Sequence, residues 1–203
     1  MTEWESLASD EAIEQVMSSL KKENIEAFVV ENGESAKAKV LELIPKGAEV
    51  MTMSSQTLEA IGVAKEINES GNYDSVKVKL MKMDRAKEGR EMRKLGAAPD
   101  WAVGSVHAVS KDGHLFIASK TGSQLGPYAY SAGHLLFVVG TQKVVENWDA
   151  GYKRVFEYSL VKEDERAKKV GMGPSNVGKL LIINSEFIPG RVTVILVKEK
   201  LGF

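Results

Sequence analysis

The fold class follows from residues 25–57, which read "IEAFVVENGESAKAKVLELIPKGAEVMTMSSQT". The apolar run 25–31 has the length of a strand, and "NGE" turns it into a helical pattern that includes Val40 and Ile44. A second short apolar run, 48–53, leads directly into another helical pattern. Because strands alternate with helices, this stretch predicts a parallel sheet with covering helices.

The remaining sequence extends the same pattern and adds a hairpin. Residues 10–22 have the spacing of an amphipathic helix, and residues 84–96 predict a highly charged helix that is solvated on most of its surface. Within residues 101–119, two apolar runs are joined by "KDG", which is a strong hairpin signal. The runs "KLLIIN" (179–184) and "VTVILV" (192–197) predict two further core strands.

These patterns predict one α/β domain over residues 1–203, with residues 1–23 as an N-terminal helical segment. We expect a Rossmann-like, mostly parallel sheet with helices on both faces and an added β-hairpin element. No internal repeat and no low-complexity linker divides the chain.

Composition narrows the classes of function. Lysine and arginine total 27 and aspartate and glutamate total 28, so no global field favours nucleic acid or an anionic membrane. No apolar run approaches the ~18 residues of a transmembrane helix, and the acidic start "MTEWESLASDEAIEQ" does not resemble a secretory signal. A cytoplasmic location is therefore predicted. The chain has no cysteine, so any iron–sulfur cluster must be carried by another subunit.

A first candidate binding segment is "SSQT", which comprises Ser54, Ser55, Gln56 and Thr57. It joins a predicted strand to a predicted helix, where free backbone N–H groups and hydroxyl donors favour an anion. Helix N-capping explains the same residues without a ligand, because serine and threonine are preferred there. The two interpretations are compatible with one another.

A second candidate is the loop "KTGSQLG" (120–126), with Thr121, Gly122, Ser123 and Gln124. At the carboxyl end of a strand it would lie in the crevice where open α/β sheets bind ligands. The alternative is an irregular connection with ordinary turn chemistry. The loop matches no nucleotide motif, so the ligand stays open.

The segment "GPSNVGK" (173–179) has the spacing of a phosphate-binding P-loop but does not fit one. Leu180 stands where the magnesium-binding serine or threonine belongs, and the segment precedes a strand pattern instead of following one. ATPase function is therefore excluded. Asn176 and Lys179 remain candidates for contact with a ligand in the cleft.

The three histidines do not predict a metal site. His107 shares the face of a predicted strand with apolar side chains and is expected to be packed. His114 flanks the hairpin turn and His134 opens a strand, and neither has a neighbouring carboxylate pattern. The catalytic residues and the cofactor stay unassigned.

A family resemblance rests on three segments. The run "VGSVHAVSKDGHLFIASKTGSQLG…AYSAGHLLFVVGTQKVV" (103–145), "GPS" (173–175) and "RVTVILVKEKLGF" (191–203) resemble the LUD domain of lactate-utilization proteins. The resemblance implies a fold like that of sugar-phosphate isomerases and CoA transferases. It also implies a link to the oxidation of lactate to pyruvate, in which separate partner proteins carry the iron–sulfur clusters.

Three functional hypotheses follow from this resemblance. The first is a cluster-free accessory subunit that binds a small anionic or phosphorylated ligand, with iron–sulfur proteins as candidate partners. The second is an independent enzyme of the sugar-phosphate isomerase or CoA-transferase type, and the third is a non-catalytic small-molecule sensor. After Ser175 the chain continues as Asn176-Val177-Gly178-Lys179 and so departs from the better-known branch. A homo-oligomer contact through Trp4 and residues 201–203 is a further candidate.

Overall fold

A computed structural model describes residues 3–171 and 173–203. The strands in these ranges are β1 (Glu26–Val30), β2 (Glu49–Thr52), β3 (Asp74–Ser75), β4 (Trp101–Gly104), β5 (Ala108–Ser110), β6 (Leu115–Ser119), β7 (His134–Gly140), β8 (Val144–Val145), β9 (Lys179–Ile183) and β10 (Val192–Val197). The helices are α1 (Asp10–Lys22), α2 (Gly33–Leu43), α3 (Gln56–Ala60), α4 (Val63–Glu69), α5 (Val76–Met81), α6 (Arg85–Ala97), α7 (Trp148–Arg154) and α8 (Leu160–Lys169). None of these helices is both long and apolar enough to cross a membrane.

The strands form two sheets. The larger has the order β1-β10-β7-β4-β2-β3, and all its pairings are parallel. The smaller has the order β8-β5-β6-β9, in which β5 and β6 form an antiparallel hairpin and β9 pairs antiparallel with β6. The predicted α/β fold with a mostly parallel sheet and an added hairpin is therefore confirmed.

Alternating side chains of the central strands face two separate cores, as the period of a strand requires. Leu135 and Phe137 of β7 join the core that α1 and the hairpin strands cover. Leu136 and Val138 join the core on the opposite face, which α2, α3 and α4 cover. Full burial of a side chain such as Phe137 stabilises the fold by roughly 1.5–3 kcal/mol.

The second face of the smaller sheet forms a third, smaller core. Ala108 and Phe116 point away from the main core and pack with Val145 and Val155. Val155 begins a π-helical turn, Val155–Ser159, which makes α7 and α8 one continuous helical segment. This segment packs on the second face of the smaller sheet.

Three details differ from the sequence-based prediction. The helix expected after "SSQT" is two helices, because the chain turns at Gly62 with a φ of 69°. Residues 101–104 belong to the larger sheet as β4, so the hairpin comprises only β5 and β6. The strand expected in the core at 179–184 is β9, a half-buried edge strand of the smaller sheet.

The expected surface helix is confirmed. α6 has no buried residue, and ion pairs such as Lys94–Glu91 at 3.0 Å lie along it. Leu201, one of the residues expected to contact a second subunit, is buried within this chain, and the oligomer contact stays a prediction.

Candidate functional site

The connections of the larger sheet reverse direction between β2 and β4. The chain leaves β2 toward β3 at the sheet edge, and it leaves β4 toward β7 on the other side. In open parallel sheets such a reversal opens a crevice at the carboxyl ends of the strands, where ligands bind. A cavity of about 780 Å³ lies at this position, between the strand ends, the smaller sheet and α8.

The buried amine of Lys143 lines the cavity. This residue is only 2% exposed and ends the 3-10 turn Thr141–Lys143 that follows β7. Its Nζ donates hydrogen bonds to Thr57 Oγ1 at 3.0 Å and to Ser105 Oγ at 3.2 Å. Within the described ranges, no carboxylate lies within 4.0 Å of Nζ. Burial and then the charge of Arg154 lower the pKa of Lys143 to about 7.

The hydroxyl of Thr57 is fixed by the end of the chain. It donates to the Leu201 carbonyl at 3.1 Å, and Gln142 Nε2 donates to the same carbonyl at 2.9 Å. Gly202 has a φ of 63°, and a Cβ there would lie 2.7 Å from Thr57 Oγ1. Since its proton is committed to Leu201, Thr57 presents a lone pair to Lys143.

A second buried cation, Arg154, lies behind the cavity wall. Its guanidinium donates to the carbonyl of His107, to Ser159 Oγ at 3.2 Å and to the carbonyl of Trp4 at 3.3 Å. None of these partners is charged, and Nε has no hydrogen-bond partner in the part of the chain described. Burial lowers the pKa of Arg154 to about 10, against the opposing effect of Tyr158, so it stays charged at neutral pH.

Two neutral side chains complete the inner wall. Ala118 N–H donates to His107 Nδ1 at 3.1 Å, and burial, followed by Lys143 and Arg154, lowers the pKa of His107 to about 3. Burial raises the pKa of Tyr128, so its hydroxyl stays protonated. His107 is hydrogen-bonded within the fold, as expected of a packed histidine, but it follows β4 as a linker and also lines the cavity.

Tyr128 is positioned by Arg191. The π-helical turn Pro127–Ser131 carries Tyr128, and Arg191 donates to the carbonyls of Pro127 at 3.0 Å, Tyr128 at 3.2 Å and Ala132 at 3.0 Å. Glu186 binds the same guanidinium at 2.6 Å. Opposite the tyrosine ring, the backbone of Gly104 leaves no room for a Cβ beside the hydroxyl.

The outer rim is closed by ion pairs and backbone contacts. Arg166 holds Glu163 through two hydrogen bonds of 2.6 and 2.7 Å. Lys120 Nζ donates to the Pro174 carbonyl at 2.8 Å, and Asp164 accepts from Ser175 N–H at 2.8 Å. These contacts hold the segment around Asn176 against the cavity.

Most of the residues predicted from sequence lie around this one cavity. The lining includes Ser54, Ser55, Gln56, Thr57, Thr121, Gln124 and Asn176. Ser55 also caps α3, because its Oγ accepts from Leu58 N–H at 3.4 Å. Since α3 has only five residues, its dipole adds little to this edge.

The other predicted residues do not line the cavity. The hydroxyl of Ser123 is 3.2 Å from that of Thr121, which is a contact within the turn. Gly122 has a φ of 87°, and its N–H donates to Ser119 Oγ at 2.9 Å. Lys179 begins β9 and lays its aliphatic chain over Gly122.

The sequence interpretation did not select Lys143, Ser105 or Tyr128. Lys143 follows the strand "HLLFVVG", and its position after the carboxyl end of a buried strand was the available signal. No group of three or more histidine, cysteine or acidic side chains in the described residues is arranged to hold a metal. His134 instead stacks on Trp101, with ring centroids 4.3 Å apart.

Comparisons with known proteins show the family. No curated protein matches the chain. A crystal structure of a DUF162 family protein from Deinococcus radiodurans is similar, with a TM-score of 0.57, 11% identity, and coverage of 95% of this chain and 99% of that one. Ribose 5-phosphate isomerase from Plasmodium falciparum gives a TM-score of 0.36 at 13% identity, with coverage of 64% and 66%. The sequence model of the LUD domain matches residues 13–197, so the chain belongs to the LUD domain family.

Proposed function

We propose that the cavity binds a small anionic ligand, either a carboxylate or a phosphorylated compound. The observation that carries this proposal is the amine of Lys143, which is buried at the inner end of the cavity with only hydroxyl partners. A buried cation without a carboxylate is costly, and an anion within hydrogen-bonding distance offsets that cost. The ligand would supply the negative charge that the surrounding side chains do not.

The other groups around the cavity support an anion. Arg154 adds a second buried positive charge with uncharged hydrogen-bond partners. His107 and Tyr128 stay neutral at physiological pH, and Glu163 is engaged by Arg166. Binding an anion at Lys143 favours the protonated amine, so the complex takes up a proton near neutral pH.

The size and the polar lining of the cavity suit a small hydroxylated molecule. A volume of about 780 Å³ lies within the range of ligand pockets. The lining also includes residues with hydroxyl or amide groups, namely Ser54, Ser55, Thr121, Gln124 and Asn176. We infer that they bind polar groups of the ligand while Lys143 binds its anionic end.

A thermal-shift and calorimetric titration tests this proposal. Inorganic phosphate, lactate, pyruvate and ribose 5-phosphate are added to the wild-type protein, to Lys143→Met and to Lys111→Met. Lys111 is the matched control, because it pairs with Glu146 at the surface, away from the cavity. A ligand at about 100 times its Kd stabilises the wild type by roughly 2.7 kcal/mol. Equal binding by Lys143→Met, or no binding by the wild type, would contradict the proposal.

We further propose that the chain acts in lactate utilization as a subunit without a cluster of its own. Membership of the LUD domain family supports this role at the level of the family, and lactate and pyruvate are small carboxylates of the class that the cavity suits. Lactate oxidation needs an electron acceptor, and a chain without cysteine offers no thiolate for an iron–sulfur cluster. Co-purification with iron–sulfur proteins and lactate-dependent reduction of that complex would support the role. A lactate response that is unchanged when this chain is omitted would oppose it.

A further inference from the structure

Lys143 Nζ lacks the surroundings of a lysine whose only role is to bind an anion as a permanent cation. Two of the three substituent positions on the nitrogen face the hydroxyls of Thr57 and Ser105, and the residue borders the cavity. A lysine that stays charged is normally either paired with a carboxylate or exposed to solvent. Here neither condition holds within the described ranges, and with a pKa of about 7 a substantial fraction of the amine is neutral in the free protein near neutral pH.

The surrounding elements that the structure describes place no free carboxylate beside the Lys143 amine. The linker after β4 supplies neutral His107, the turn after β6 supplies neutral Tyr128, and the last residue of α7 is cationic Arg154. α3 contributes Glu59 and the loop after β6 contributes Lys120, both exposed at the rim. On α8, Glu163 and Arg166 pair with each other.

We propose that Lys143 is a nucleophile that forms an imine with a carbonyl compound bearing a carboxylate or a phosphate. The proposal rests on the function proposed above, because the same cavity must first admit the anionic ligand. Lysines that form Schiff bases are typically desolvated, because desolvation lowers the pKa and leaves part of the amine neutral. The substrate class is therefore a 2-oxo acid or a phosphorylated aldehyde or ketone.

The reaction balances without any other reagent. The lone pair of the neutral amine attacks the carbonyl carbon, the C=O π bond breaks, and the oxygen takes one proton that the nitrogen loses. The resulting carbinolamine then loses its hydroxyl group and the second nitrogen proton as one water molecule, which leaves a C=N bond. Hydrolysis reverses both steps.

Ser105 is the group placed to move the proton. Its Oγ lies 3.2 Å from Lys143 Nζ and lines the cavity, so it can accept a proton from nitrogen and donate one to the carbonyl oxygen. Its own hydrogen bond, to the Val106 carbonyl, is long at 3.4 Å. Thr57 differs, because its proton is held by Leu201 and its hydroxyl positions the amine.

Trapping with a reductant tests the proposal. The full chain is incubated near neutral pH with pyruvate or with pyridoxal 5′-phosphate, reduced with borohydride, and examined by intact mass and peptide mapping. We expect one reduced adduct, on Lys143, with at least ~10-fold more label than on any other lysine, because surface amines are protonated. Lys143→Arg keeps a charge and should remove the adduct, whereas Lys111→Met should leave it unchanged.

The outcomes separate this inference from the anion site. Label that spreads over surface lysines and persists in Lys143→Arg, or no label in the wild type, overturns the imine. If inorganic phosphate still stabilises the wild-type protein in that case, the anion site stands without the covalent step. If Lys143→Arg fails to fold, a competition experiment on the wild type replaces it. Inorganic phosphate should then reduce the labelling of Lys143 by the carbonyl compound. Labelling of Lys143 that phosphate does not reduce contradicts a shared site.

Discussion

Lys143 and Thr57 meet at the carboxyl edge of the larger sheet, with Nζ 3.0 Å from Oγ1, although 86 residues separate them along the chain. Thr57 follows β2 and Lys143 follows β7, and β4 lies between these two strands in the sheet. The parallel sheet therefore brings together two polar side chains that no local motif connects. The Lys143 amine is desolvated without a carboxylate partner, so its pKa is lowered and it contributes to the pH dependence of stability.

The free energy of unfolding should rise with pH above neutrality because of Lys143. Its pKa is about 7 in the folded protein and 10.5 ordinarily, so the unfolded chain binds more protons between these values. Stability is therefore gained as pH rises, at up to about 1.4 kcal/mol per pH unit, or roughly 2 kcal/mol between about pH 7.5 and about pH 9. Urea denaturation at several pH values measures this slope.

Lys143→Met should flatten that slope, whereas Lys111→Met should keep it. His107 does not affect this slope. Its pKa is about 3 in the folded protein and 6.5 ordinarily, so it changes the free energy of unfolding only below about pH 6.5. An equal slope in the wild type and in Lys143→Met would mean that the amine is solvated in the folded protein.

Thr57→Val should weaken phosphate binding without a large loss of stability. The substitution removes the acceptor that positions Lys143, while the Leu201 carbonyl keeps its bond from Gln142. We expect a cost of about 1 kcal/mol in unfolding and a roughly 5–10-fold weaker affinity for phosphate in calorimetry.

Thr52→Val is the matched control for that measurement. Thr52 is equally buried, and its hydroxyl bonds to Asn68 Oδ1 at 3.1 Å, outside the cavity lining. Asn68 keeps its bond from Ser75, so a similar loss of stability is expected with unchanged phosphate affinity. Equal affinities for the two threonine variants would count against the role of Thr57.

The fold was predictable because its signals are local. The alternation of apolar runs and helical patterns over residues 25–57 is enough to indicate parallel strands and covering helices. The assignment of residues 101–104 was wrong because β4 and β5 follow one another with a short linker, and periodicity does not show that the chain changes sheets. Only the register of β4 against β2 and β7 reveals it.

The site was predictable only where a loop carries its own polar signature. "SSQT" and the polar loop after β6 have clustered hydroxyl and amide groups, and residues of both lie at the cavity. Lys143 has no such signature, because a single lysine after a strand normally reaches solvent. Its hydrogen-bond partners Thr57 and Ser105 follow other strands and are distant from it in sequence.

Gly104→Ala should destabilise the protein by about 1–3 kcal/mol through overpacking. The added methyl group would overlap the hydroxyl of Tyr128, and Tyr128 cannot withdraw because Arg191 holds its turn. Tyr128→Phe in the same chain should restore part of the loss, although Cζ would still lie 2.9 Å from the new carbon. Thermal unfolding measures both. A neutral Gly104→Ala, or no recovery in the double variant, would show that the turn moves freely.

Arg191→Met should cost about 3–5 kcal/mol, the usual penalty for breaking a buried ion pair by removing one partner. Glu186 would lose its cation, and the carbonyls of Pro127, Tyr128 and Ala132 would lose their donor. Glu186→Gln alone should cost less, because the arginine keeps its three carbonyl bonds. Adding Glu186→Gln to Arg191→Met should recover only the cost of leaving the Glu186 carboxylate without its cation. A double-mutant cycle by urea denaturation therefore separates the energy of the ion pair from that of the three hydrogen bonds to the carbonyls. Full recovery in the double variant would mean that the carbonyl bonds contribute nothing and that Tyr128 is positioned by other contacts.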